Sequence, residues 1–426
     1  MRTFWISGST LLVALVSLTA CSAGPGQRSS ETARPPVQSS GSPASAQPRK
    51  ETNSFRVLSA LDTKDAQKAT GGVQHKEIFT TSSRLADGTY TSIRMLRPDG
   101  SLVVDVGGKD QAENGKILIP PKTLGLYSRE GYRPFPGSVR IGADRQRQID
   151  SLNTNGPITA WSETESTSWP FPLDWRVVAY NAADHSTNVL GDSTKIAGTT
   201  DIPEAAGGTS LVVGKHQIFW ATAYPIGEDK RPFGTKIITS RPDGEGGMTV
   251  VAENAKLPAV VGDDLYYVRT NEIAPQVPEG RYEIWRRSPE GKHDPVLSGT
   301  MQGEQTVTVL KATPSGRLAW VVSAGEKRTS TLFLWEPTDN TATTITMHHF
   351  GAPTMSLDVT DRLVAWGDGS ANDGGEYVFD RKQGKIWHIH TEVGFSSART
   401  AGDFIAWSDI PEGENFAIWH VAHWKG

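Results

Sequence analysis

Thr313-Pro-Ser-Gly-Arg-Leu-Ala-Trp320 decides the fold, because its last two residues recur along the chain. Ala160-Trp161, Ala365-Trp366 and Ala406-Trp407 close other short apolar runs, and Phe219-Trp220 and Tyr266-Tyr267 are cousins lying between them. From Trp161 to Trp407 these aromatics fall 41 to 59 residues apart, and the variation sits in the loops. Within each run both parities are apolar: Leu318 and Trp320 point one way, Ala319 and Val321 the other. A strand buried on both faces belongs to a sheet packed between two others. A small Ala and a large Trp on opposite faces let neighbouring sheets interdigitate, so these tryptophans are expected to be packing core rather than a ligand platform.

Each aromatic strand is followed by a polar loop, a second strand, a tight turn and a third strand. The turns carry their own signals, as in Arg241-Pro-Asp-Gly244 and Ser288-Pro-Glu-Gly291. Proline presets the first turn dihedral and glycine accepts a positive φ. Radially repeated antiparallel sheets at this interval predict an all-β fold, a β-propeller of four-stranded antiparallel blades. Seven blades are favoured, with six or eight as the alternatives. One more unit is read from residues 77–80, 90–96 and 101–106 around Arg97-Pro-Asp-Gly100, while 107–150 is either an irregular insertion or a degenerate blade. The last unit ends without an outer strand, and residues 54–61 are expected to supply it and close the ring.

The N-terminus reads differently. Arg2 precedes the apolar run 11–16, and residues 1–21 end in Leu18-Thr19-Ala20-Cys21, the pattern of a signal peptide with small residues before a cysteine. This ending resembles a bacterial lipobox, which implies acylation of Cys21 and cleavage before it. Cys21 is the sole cysteine in the sequence, so no disulfide is available and the domain must rest on its core. Residues 22–52 are rich in Ser, Pro, Ala and Gly and are expected to form a disordered tether, with 53–426 as the propeller domain. The expectation is therefore an extracytoplasmic protein held at the cell membrane by the lipid on Cys21.

Thr313-Pro-Ser-Gly-Arg-Leu-Ala-Trp320 also resembles the turn and following strand of TolB-like propellers, within the broader WD40-like architecture, with Ser315 where that family usually has Asp. The other copies, such as Val359-Thr-Asp-Arg-Leu-Val-Ala-Trp366, keep only the logic of a turn followed by an apolar strand. The resemblance covers roughly residues 150–426 and implies the fold alone, since that family includes binding proteins as well as propellers attached to peptidases.

A net charge of −4 gives no reason to expect nucleic acid. The loops after the aromatic strands are biased, however, holding fourteen acids against six bases. In a propeller these loops share one face, so an acidic partner face is expected, suited to a protein, peptide or glycan of the envelope. Glu163, Glu165, Asp368, Asp373 and Asp409 are its candidate acids, with Trp169 and Trp175 as aromatic neighbours. Glu163 and Glu165, two apart on one strand, also admit the alternative of a propeller glycosidase or lyase working through paired carboxylates. No cofactor is expected. The loop Asp368-Gly-Ser-Ala-Asn-Asp-Gly-Gly-Glu376 alternates oxygen ligands as calcium loops do, but Asp373 stands where Gly is needed, so a turn is favoured over calcium. His388 and His390 share a strand face without a carboxylate to complete a zinc site, so surface histidines are expected there. No nucleophile elbow, metalloprotease helix or phosphate-binding glycine loop occurs, and a monomeric, non-catalytic binding or scaffold module is the reading that remains.

Overall fold

The turn that opens the defining stretch forms as its residues require. Gly316 N–H donates to Thr313 C=O at 3.0 Å and Gly316 sits at φ 92°, where a side chain would be strained. Gly100 repeats this geometry at φ 80°, with its N–H 2.9 Å from Arg97 C=O. The computed structural model describes residues 54–108, 111–113, 116–118, 122–136, 147–165, 173–197, 210–225, 233–323, 329–348, 356–368, 375–390, 398–411, 414 and 416–426.

Those residues form a seven-bladed β-propeller. The innermost strands are Tyr90–Leu96, Arg147–Asn155, Leu211–Val213, Lys256–Val261, Thr306–Ala312, Ser356–Val359 and Arg399–Ala401. Each touches the next, and the seventh returns to the first, which closes the ring. The aromatic strands are the second of each blade, not the first. Leu318–Ser323, for example, pairs with Thr306–Ala312 on its axial side and Thr329–Glu336 on the other. Its edges are paired, and its faces pack on blade 4 through Leu318, Trp320 and Val322 and on blade 6 through Ala319 and Val321, so all six of its residues are buried.

Seven hydrophobic clusters fill the seven gaps between blades. In each, the large residue of one blade's aromatic strand packs against the preceding blade's residue at the Ala position. Trp366 lies with Ala319, Trp407 with Ala365, and Trp220 with Ala160. The ring is sealed by Ala406 against Ile93 and Val104, where the first blade carries valine in place of tryptophan. Trp161, Trp220, Trp320 and Trp366 are completely buried, as the sequence led us to expect of packing residues. Trp320 also donates its indole N–H to Tyr282 Oη at 2.9 Å across the gap, so its polar atom is satisfied.

Three expectations about the N-terminal part need correction. Residues 54–61 do not close the last blade. Arg56–Asp62 instead adds a fifth, parallel strand to the outer edge of blade 5, beside Thr341–His348, and Gln67–Lys68 does the same on blade 6. The outer strand of blade 7 is His75–Ser82, paired with Ile418–Trp424, so residues 77–80 do not begin the first unit. Arg56–Asp62, Gln67–Lys68 and His75–Ser82 thus join the outer edges of blades 5, 6 and 7 in turn before the chain enters blade 1. Blade 1 begins at Tyr90–Leu96 and is completed by Leu102–Gly107, Lys122–Ser128 and Gly131–Pro134. The described residues of 107–150 therefore hold the outer half of blade 1, the hairpin Gln111–Glu113 with Lys116–Leu118 and the start of blade 2's strand Arg147–Asn155, and form no eighth blade. The turn Arg97-Pro-Asp-Gly100 joins first and second strands, whereas Arg241-Pro-Asp-Gly244 joins third and fourth; both kinds emerge on one face, here the turn face. The loops after the aromatic strands emerge on the opposite one, the loop face.

Ser315 ties the turn of blade 5 to that of blade 6. The hydroxyl of Ser315 donates to Asp361 Oδ1, on the matching turn of blade 6, and its backbone N–H reaches the same oxygen at 3.2 Å. Arg317 bonds Glu336 of its own blade and Asp361 C=O of the next. One carboxylate of blade 6 thus serves the turn of blade 5.

Candidate functional site

On the loop face the candidate acids are dispersed, since they belong to blades 2, 6 and 7. Glu163 is completely buried. Its Oε1 accepts the Trp161 indole N–H at 2.7 Å, and its Oε2 accepts Arg176 Nε–H at 2.8 Å from the directly opposed strand position. Both carboxylate oxygens are thus engaged inside blade 2. Residues two apart share a strand face, so the Trp-x-Glu spacing was the signal for this bond. The reversed spacing does the same in blade 4, where Trp285 donates to Glu283 at 2.9 Å.

Glu165 ends the same strand, opposite Leu173. Trp175 is 1% exposed and packs with Val177, Leu190 and Trp220 between blades 2 and 3, so it is core and not the exposed aromatic expected of it. Asp368 ends the aromatic strand of blade 6, opposite Gly375. Trp169 and Asp373 lie outside the described residues. Asp409 ends the aromatic strand of blade 7, where its Oδ2 is 3.1 Å from His420 Nε2, and His420 Nδ1 is 2.9 Å from Glu77 Oε2. Trp407 stacks on the His420 ring at 4.9 Å. This carboxylate–imidazole–carboxylate row crosses three neighbouring strands and ties the outer strand of blade 7 to its ring. His388 stacks on Tyr377 at 4.5 Å. Among the described residues, no group of three or more His, Cys, Asp or Glu side chains is arranged to hold a metal.

What the sequence did not reveal lies on the innermost strands. Strand register places one residue of each innermost strand opposite the Ala position of its aromatic strand. In order of blades these are Met95, Asn153, Val212, Ala259, Lys311, Asp358 and Arg399. The belt is neutral on blades 1 to 4 and charged on blades 5 to 7. Arg399 Nη1 stands 3.7 Å from Asp358 Oδ2, with their side chains 19% and 12% exposed. Burial pulls the Lys311 ammonium below the ordinary lysine pKa; Asp358 opposes this and Arg399 adds to it.

Nearer the loop face, Lys256 Nζ is 3.3 Å from Thr306 Oγ1 of the next blade and 3.8 Å from Glu272 Oε2. Its pKa is also lowered, by burial first, against the raising influence of Glu272. Arg94 on blade 1 is held by Asp105 of its own blade. These ion pairs could not be read from sequence spacing because their members come from different segments of one blade, as in Arg94–Asp105 and Lys256–Glu272, or from neighbouring blades, as in Arg399–Asp358.

No family model matches the chain, and no curated protein is similar to it in sequence. Solved structures share the fold. An oligogalacturonate lyase in complex with manganese is 12% identical with a TM-score of 0.49, over 82% of this chain and 98% of that one. The β-propeller domain of the trilobed protease from Pyrococcus furiosus is 10% identical with a TM-score of 0.48, over 79% and 96%. A puromycin hydrolase is 12% identical with a TM-score of 0.43; 84% of this chain matches 53% of that longer one. At such identities the likeness is one of architecture, and no residue role passes from these proteins to this one.

Proposed function

We propose that this protein is a lipid-anchored, extracytoplasmic propeller that presents its loop face to a protein, peptide or glycan of the cell envelope as a non-catalytic binding module. The observation that supports the proposal is where the first described residues join the ring. Ser54 C=O accepts from Asn340 Nδ2 at 3.1 Å, and Arg56 N–H donates to Asn340 C=O at 3.1 Å. Asn340 belongs to a third-to-fourth-strand turn, so the segment leading from Cys21 reaches the domain at the turn face, on the rim of blade 5. The loop face, with its excess of acids, points away from the anchored side.

The reading has two tests. Replacing Cys21 by Ala should move the protein from the membrane fraction to the soluble fraction; retention in the membrane would sink the anchor. Envelope extracts passed over the immobilised protein should lose captured partners when Glu165, Asp368 and Asp373 are changed together to amides. Unchanged capture would remove the acidic loop face as the binding surface. Glu163 is left out of that set because its carboxylate is already engaged by Trp161 and Arg176.

A further inference from the structure

The fifth strand of blade 5, Arg56–Asp62, ends its sheet on an open edge. It pairs with Thr341–His348 on one side, and among the described residues no strand follows on the other. A strand paired on one side presents a row of free backbone N–H and C=O groups on the other, a template for a further strand. Natural edges are guarded by lysine, proline or brevity. Gln67–Lys68 on blade 6 is two residues long, Lys76 stands in the outer strand of blade 7, and Pro134 and Pro295 stand in those of blades 1 and 4. Arg56–Asp62 is seven residues long, with neither lysine nor proline. The register shift between Val57 and Ser59 leaves Leu58 as a bulge, and these neighbours are 48% and 57% exposed at Val57 and Leu58. The outer strands of blades 2 and 3 expose one such residue each, Val189 and Val250, and among the described residues no other outer strand exposes two.

The order of residues along this edge says what fits it. Arg56-Val-Leu-Ser-Ala-Leu-Asp62 has the same chemical type read from either end, except that the two end charges are opposite. Laid antiparallel on a second copy about a two-fold axis through Ser59, it sets Arg56 against Asp62, Val57 against Leu61 and Leu58 against Ala60, each pair occurring twice. A parallel partner in the same register would oppose arginine to arginine. Arg56 is exposed, and its side chain has no partner among the described residues. Asp62 accepts Lys64 N–H at 2.8 Å and lies 3.0 Å from His348 Nε2, and with its side chain 34% exposed it keeps room for a further donor. Ser59 C=O accepts from Thr344 Oγ1 at 3.4 Å, so its backbone faces its own sheet. Across the open edge Ser59 is then a non-hydrogen-bonded position, where opposed residues stand closest, about 4.5 Å between Cα atoms.

We propose that Arg56–Asp62 is a homodimerisation edge, which pairs antiparallel with the same strand of a second copy so that the two fifth blades form one continuous sheet. Two seven-residue edges bury well under the roughly 1,200 Å² of a stable interface, so the association is weak, with a dissociation constant on the order of 10 to 100 µM. A weak dimer thus replaces the monomer expected from the sequence. The inference stands apart from the loop-face partner proposed above, since it concerns the outer rim and different residues.

The test uses the full chain carrying Cys21→Ala, so that an added thiol is the sole one. Sedimentation velocity from about 1 to 300 µM should show monomer passing into dimer. Leu58→Lys in that parent should stay monomeric over the same range with an unchanged melting temperature, because it guards the edge at an exposed site. Ser59→Cys, incubated with oxidised glutathione, should form a disulfide-linked dimer roughly 10-fold faster than Thr249→Cys, an exposed position on the outer strand of blade 3. The proposal is overturned if the parent stays monomeric throughout, which would leave the edge to an extended segment of another protein. It is equally overturned if Leu58→Lys associates as the parent does, or if Ser59→Cys crosslinks no faster than Thr249→Cys. Capture of envelope partners by the loop-face variants is read separately, so either proposal can fail while the other stands.

Discussion

Glu163 Oε2 accepts the Arg176 Nε–H at 2.8 Å directly across a strand pair, with the Glu163 side chain 1% and the Arg176 side chain 20% exposed. A carboxylate buried in this way holds a cation and an indole N–H in place at once. Removing one member leaves the others without a partner, which costs more than the pair contributes. Glu163→Ala should therefore lower unfolding free energy by about 3 kcal/mol, whereas Glu163→Gln, which keeps an acceptor for Trp161, should cost less. Urea denaturation of both variants measures this, and a loss below about 0.5 kcal/mol for Glu163→Ala would show the pair to be an ordinary surface bridge.

The aromatic strands should behave as core. Trp366 is completely buried, against Ala319 and Val321 of the preceding blade and stacked on Tyr377 at 5.5 Å. Trp366→Ala is expected to destabilise by about 3 to 5 kcal/mol, the cost of truncating a large aromatic in a packed interior. Trp387, 7% exposed and on an outer strand, should cost less. Equal losses at the two sites, read from chemical denaturation, would argue against the interlocking of blades at the second strand.

Ring closure should depend on one N-terminal strand and not on the other two. Arg56–Asp62 and Gln67–Lys68 only extend sheets that already have four strands, and Val57 and Leu58 are 48% and 57% exposed. His75–Ser82 supplies the fourth strand of blade 7. A chain beginning at Ala69 is expected to remain a folded monomer with a lowered melting temperature, because Phe55 no longer packs on Trp320 at 5.4 Å. A chain beginning at Ser83 exposes the edge of Ile418–Trp424 and should aggregate, as unpaired edges do. Size-exclusion chromatography and thermal melting distinguish the two outcomes.

Closure should also weaken in mild acid. His75 begins the closing strand, buried against Trp407 at 5.0 Å, with Nδ1 lacking a partner. Burial pulls its pKa below the ordinary value of 6.5; Glu77 opposes this, while His420 and Lys425 reinforce it. The folded state then binds its proton less readily than the unfolded chain. Its contribution to stability is complete above pH 6.5 and is lost as pH falls from there through the lowered folded value. Melting temperature followed from pH 8 to 5 should drop below pH 6.5, and His75→Gln should flatten part of that drop. An unchanged profile in the variant would assign the acid sensitivity to other groups.

The strand repeat was legible because it depends on local periodicity. Leu318 to Val322 is apolar at both parities, and only a strand covered on both sides tolerates that. Turn glycines such as Gly316 marked the hairpins for the same local reason. The misplacement of residues 54–61 and 77–80 arose because strands of similar composition can pair with any open edge. Nothing in 56–62 states that its partner lies about 285 residues away, in Thr341–His348. The candidate acids divided in the same way: their clustering in loops was visible, but the engagement of Glu163 by Arg176 and the burial of Trp175 depended on neighbouring strands.

The sequence by itself determined that this protein is a ring of antiparallel blades locked by small and large residues on opposite strand faces, because alternation along a strand is a property of adjacent residues. Only the tertiary structure decided which N-terminal strand closes the ring, which rim Arg56–Asp62 joins, and that Lys311, Asp358 and Arg399 share one register level of the innermost strands. Those three residues lie more than forty positions apart in turn, and their proximity follows from register and ring closure, which no local pattern encodes.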